Sequence, residues 1–150
     1  MTLKQRKENF TQFYKELIPS LVDFVEKLGI SPGHAVLKQV VDCAPLLSRS
    51  LERIEISNQE DRVFLLSRVS YFVGEYFAQK YGGAWYVNEI EGSRYYARYV
   101  VGKFWQTVNP NVMVDPFLVA EDYLQQPIPR NLQALLDEIE AELKPHLHRS

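Results

Sequence analysis

The chain has 150 residues, 46% of them hydrophobic, 13% aromatic and 24% charged, with a formal net charge of −2. That length suits one domain whose core needs neither metal nor disulfide, and the lack of a basic excess argues against nucleic acid as a partner. A single cysteine excludes an internal disulfide, no Cys/His metal spacing occurs, and no apolar run approaches the ~18 residues of a membrane span.

Residues 3–28 read as a helix. Phe10, Phe13, Tyr14, Leu17, Leu21, Phe24, Val25 and Leu28 recur at spacings of three and four and so share one stripe. Pro19 predicts a kink or a split into two shorter helices, and Gly29 a stop. The start of the chain, charged and without an apolar secretory core, points to the cytoplasm. Ser31-Pro32-Gly33 marks a turn, with Ser31 and Pro32 also suiting the start of a second helix. That helix carries Leu37, Val40, Val41, Ala44, Leu47, Leu51 and Ile54, and Pro45 should bend it.

Ser57-Asn58-Gln59-Glu60 matches a capping box with Ser57 at the cap, opening a third helix over about 58–81. Leu65, Leu66, Val69, Phe72, Val73, Tyr76 and Phe77 form its main face. Phe64, Ser67, Tyr71, Gly74 and Ala78 make the opposite side small or apolar too. Only Asp61, Arg68, Glu75 and Gln79 form a narrow polar strip. A helix apolar nearly all round belongs in the middle of a domain.

Gly82-Gly83 ends this helix, and the period changes. Residues 84–90 and 94–101 read as two strands joined by a short turn at Glu91-Gly92-Ser93. Segments 104–108 and 112–114 read as further short strands around the turn Asn109-Pro110-Asn111. Asp115-Pro116 caps and starts a helix ending near Gln125. After the connector Gln126-Pro127-Ile128-Pro129, a last helix over about 130–143 has Leu132, Leu135, Leu136, Ile139 and Leu143 on one face and an acidic remainder. Pro145 should stop it, leaving a frayed tail. The order predicts one α+β domain over 1–150: helical 1–81, a β-meander 84–114 and helical 115–145.

Chemistry-bearing residues are few. Cys43 sits between Val40 and Leu47 on a helical stripe and reads as packing rather than as a nucleophile. His34 lies in a turn, and His146 and His148 in the tail lack a third ligand at helical spacing, so neither a metal nor any other cofactor is expected. No catalytic residue is assigned. Arg68 and Glu75, seven apart on the polar strip, read as ion-pairing groups whose partners come from other elements. The hairpin is the best contact surface, with Arg94, Tyr96 and Arg98 on one strand face and Tyr86, Asn88 and Glu89 facing them, because Arg and Tyr are common binding anchors. The acidic last helix is a solvated face or the seat of a basic partner.

Gly74-Glu75-Tyr76 ending a long helix, Gly82-Gly83-Ala84-Trp85 entering a strand, and Asp115-Pro116-Phe117 opening a helix form a pattern over about residues 63–124. It resembles one in small uncharacterised bacterial domains, some of them similar to immunity proteins that neutralise the toxins of competing strains. The resemblance implies an α+β fold and a protein-binding role and supplies no catalytic residue. Three functions follow as expectations. The first is a non-enzymatic protein-interaction module, immunity-like or accessory, contacting another protein through the hairpin. The second is a small-molecule binder or weak enzyme whose pocket, between central helix and sheet, is lined by Arg68, Glu75, Tyr76, Trp85 and Tyr99. The third is a homo-oligomer paired through hairpin aromatics. Neither nucleic acid nor membrane is an expected partner.

Overall fold

The computed structural model describes residues 2–148 and begins on a capped helix. Thr2 Oγ1 accepts the Gln5 N–H at 3.2 Å, and Gln5 Oε1 accepts the Thr2 N–H at 2.9 Å, so both ends of the capping box are closed. Helix α1 runs Leu3–Lys27 and continues through Pro19. The expected break is absent because Pro19 lies on the exposed side, where a carbonyl left without its donor meets water. A 3-10 turn, Gly33–Leu37, precedes α2 (Val40–Leu51), which likewise runs through an exposed Pro45. The second helix thus starts later than the proline signal suggested.

Helix α3 (Gln59–Tyr81) is capped by Asn58, not Ser57: Asn58 Oδ1 accepts the Asp61 N–H at 2.8 Å. Its C-terminal half is buried around the whole circumference from Phe72 to Phe77, as an all-round apolar helix requires. The N-terminal half is open on one side, where Phe64 is 41% exposed. Gly82, at φ +71°, terminates the helix in the left-handed conformation that favours glycine.

Three strands follow among the described residues: β1 (Ala84–Val87), β2 (Tyr99–Gly102) and β3 (Met113–Val114), antiparallel in the order β1-β2-β3. Trp85 pairs with Val101, and Val101 with Val114. Helices α4 (Pro116–Gln125) and α5 (Leu132–Leu143) close the chain, with a 3-10 turn at Lys144–His146. Asp115 caps α4 through the N–H groups of Phe117 and Leu118. α3 packs against α1, α2, α4 and the sheet, giving an α+β fold around one connected core.

The sheet is smaller than its aromatic sequence suggested. Residues 88–98 are loop and turns rather than strand. Buried Asn88 organises them: its Nδ2 donates to Ser93 Oγ at 3.1 Å, its Oδ1 accepts the Ile90 N–H at 3.1 Å, and Ser93 Oγ accepts the Tyr95 N–H at 3.2 Å. Side chains that bind nearby backbone in this way compete with a ladder. The strand expected over 104–108 is absent too. The Trp105 N–H donates to the Gly82 carbonyl at 3.1 Å, which ties the segment to the end of α3. The tail, expected to fray, is held as far as His148. Leu147 bridges Thr107, and the His148 N–H donates to the Gln106 carbonyl at 2.9 Å.

Candidate functional site

The five side chains expected to line a pocket between α3 and the sheet share no opening. Glu75 is buried and accepts the Trp85 indole N–H at 3.2 Å. Trp85 presses so closely on α3 that a Cβ added at Gly74 would lie 1.9 Å from its ring. Tyr99 stacks on Phe13 at 4.1 Å, and Phe13 also meets Trp85, Tyr71 and Phe117 edge-on or tilted, so rings occupy the space between helix and sheet. Tyr76 turns the other way, towards α5. Arg68 forms no ion pair among the described residues. It lies over Phe64 at 4.4 Å and donates to Ser67 Oγ at 2.9 Å. Burial pushes the Glu75 carboxyl above its ordinary value, and hydrogen bonds from Gln79 and Trp85 only partly offset this.

The four hairpin residues diverge because residues 88–98 are not a strand. Arg98 reaches inward to the fully buried Asp115 carboxylate, which also caps α4. It borders a small cleft with Arg6, Tyr99, Phe117 and Glu121. Tyr86 lies beneath Lys103 Nζ, 4.4 Å from its ring centre, in a shallow depression walled by Lys7 and Glu89. Tyr96 is 41% exposed. Arg94 stands over the Tyr95 ring at 4.6 Å and borders an open concavity.

That opening is a groove lined by four parts of the chain: the 90–95 loop, β3 with the residues before it, α4, and α5 with the turn that follows it. Two adjoining concavities of about 450 and 230 Å³ share Arg94, Tyr95, Met113 and Glu142. Val112, Leu135, Ile139 and Leu143 supply apolar surface. Leu135, Glu138, Ile139 and Glu142 fall on one face of α5 at spacings of three and four. Asp122 of α4 joins Glu138 and Glu142, and none of the three enters an ion pair among the described residues.

The opposite side of α5 is closed. Glu140 accepts Lys80 Nζ at 2.6 Å and the Tyr81 hydroxyl at 2.8 Å on one oxygen, and the Tyr76 hydroxyl on the other. Burial alone would raise the Glu140 carboxyl. The three donors outweigh it and hold the group below the ordinary glutamate value. Burial, then the bond to this anion, pushes both tyrosines well up. This cluster joins residues about sixty positions apart and had no local sequence signal.

Trp105 is a second feature that sequence reading passed over. It is 72% exposed, next to Val108 at 64%, on a segment pinned to Gly82 and to the tail. Its placement in a strand hid it, and no local sequence signal marks the left-handed Lys103 (φ +53°) that breaks the strand two residues earlier. Cys43 is buried and its thiol is raised by burial and then by Asp42, the opposite of nucleophile activation. Among the described residues no cluster of three or more His, Cys, Asp or Glu is placed to hold a metal ion, and no helix is long and apolar enough to cross a membrane. No family model matches the chain, and no curated protein or solved structure matches it significantly.

Proposed function

We propose that this protein is a non-enzymatic interaction module that holds a basic polypeptide segment of another protein in the groove between the 90–95 loop and α5. The observation that carries the reading is the pairing of apolar side chains with three acids, none of which forms an ion pair among the described residues, in a groove that Arg94 also borders. Apolar side chains of the segment would fill the space over Met113 and Ile139, while Lys or Arg would meet Asp122, Glu138 and Glu142. Complementary charge of this kind steers encounter and fixes register. Tyr95 and Arg94 are residue types common among binding anchors. The short pattern shared with immunity-like domains makes a toxin domain one partner to try.

A photo-crosslinking residue at Tyr95, compared with one at the exposed Arg53, which does not line the groove, identifies the partner in the native cell. The crosslinked peptide should contain Lys or Arg. Glu138→Lys with Glu142→Lys should then weaken binding of the purified partner at least about tenfold, or 1.4 kcal/mol. Equal crosslinking at Arg53, or unchanged affinity in the double variant, would refute the assignment. Self-association is the second reading, and the exposed Trp105 favours it over the loop tyrosines. Light scattering at several concentrations, with and without Trp105→Ala, separates the two.

A further inference from the structure

Away from the groove, the C-terminal part of α2 and the start of α5 surround a concavity of about 450 Å³. Its polar wall is Ser48, Arg49, Glu52, Arg130, Asn131 and Gln133. Arg130 is only 7% exposed. Its backbone N–H donates to the Glu52 carbonyl at 2.8 Å and its Nη1 to the Ile54 carbonyl at 2.6 Å. Its Nε is buried without any hydrogen-bond partner. The nearby Tyr123 hydroxyl is also buried and unpartnered. Burial pushes its pKa up to about 12, with Arg130 and Glu52 acting on it in opposite directions. A buried polar group without a partner costs free energy of about 1–3 kcal/mol, and of these two residues Arg130 lines the concavity.

The charges indicate the class of ligand. Arg49 is exposed and forms no ion pair among the described residues. Two guanidinium groups from different elements therefore face a single carboxylate, Glu52. The positive end of α5 adds to the field. Its amides at Gln133 and Ala134 are already taken by Ser48 Oγ at 3.2 Å and Asn131 Oδ1 at 2.9 Å. The donors for a ligand must accordingly come from the arginines. Arginine forks approaching from two directions match an anion with several acceptor oxygens.

We infer that this concavity binds a phosphate-class oxyanion, either inorganic phosphate or the phosphoryl group of a small phosphomonoester. The full chain, labelled with nitrogen-15, is titrated at constant ionic strength with inorganic phosphate, glycerol 3-phosphate and acetate in turn. Saturable shifts are expected at the Arg130 Nε–H and the amides of 131–134. Arg49→Gln should weaken the phosphate response about fivefold, because one charge-assisted contact is lost. Glu52→Gln should strengthen it about threefold by removing the opposing charge. Both positions lie on the pocket wall rather than in the core, so folding is retained. Tighter binding of glycerol 3-phosphate assigns the phosphomonoester, and comparable or tighter binding of phosphate assigns the free anion. A response that does not saturate, that acetate reproduces, or that both variants leave unchanged overturns the inference.

Discussion

The interior between α3 and its neighbours and the groove beside α5 contain the same residue types put to opposite use. Inside, the buried acids have partners: Glu140 holds Lys80, Tyr76 and Tyr81, Glu75 holds Trp85, and Asp115 holds Arg98. In the groove, Glu138, Glu142 and Asp122 face an opening that Arg94 also borders, and none of the three forms an ion pair among the described residues. Helix α5 carries both kinds of glutamate, Glu140 on one side and Glu138 with Glu142 on the other. Residue type alone therefore does not separate a folding role from a contact role. What decides is whether the side chain meets a partner within the chain.

The largest expected effect lies inside. Gly74→Ala would force the Trp85 ring off α3, because the new Cβ would sit 1.9 Å from it. A loss of about 3 kcal/mol is expected, as for overpacking a tight core, together with a red shift of indole fluorescence on equilibrium unfolding curves. A stable variant with unchanged fluorescence would mean that the interior is looser than described.

The two loop arginines sharpen the comparison. Arg98→Ala leaves the fully buried Asp115 carboxylate without its cation and should cost about 2 kcal/mol, since Asp115 keeps its two capping N–H donors. Arg94→Ala should change stability by less than about 0.5 kcal/mol, as surface substitutions usually do. Thermal unfolding of the two single variants checks this. A variant that removes both arginines is thus expected to be destabilised, and the binding test belongs at Arg94.

A smaller effect appears in the pH profile. Glu140 has a lowered folded pKa, so its contribution is present above the unfolded value of about 4.3 and is lost as pH falls through the folded one. Glu75 has a raised folded pKa, so stability declines as pH rises from about 4.3 through that value. Urea midpoints against pH should lose their acid-side rise in Glu140→Gln and their decline on the neutral side in Glu75→Gln.

Local signals made much of the fold legible. The all-round apolar pattern of 64–78 located α3, Asp115-Pro116 located the start of α4, and Gly82-Gly83 marked a helix end. All three depend on residues adjacent in sequence or on one helical period. The loop 88–98 escaped because its aromatic and β-branched content suits a strand, while Asn88 and Ser93 bind the backbone within a few residues. The interior pocket was misjudged because spacing cannot reveal that Phe13, far earlier in the chain, fills the space beside Trp85 and Tyr99. The acidic helix reads from sequence as a solvated face or the seat of a basic partner. Which of its acids turn inward depends on Lys80 and Tyr81, which no local pattern connects to it.

The division between inward and outward acids is tested most directly by urea unfolding at pH 7 of three matched variants. Glu140→Gln should lower stability by about 2 kcal/mol, because a charged acceptor of several hydrogen bonds is lost. Glu75→Gln should hold or raise it, because a buried charge is removed while an amide oxygen can still accept from Trp85. Glu142→Gln should leave it unchanged. A stable Glu140→Gln or a destabilised Glu142→Gln would contradict the account.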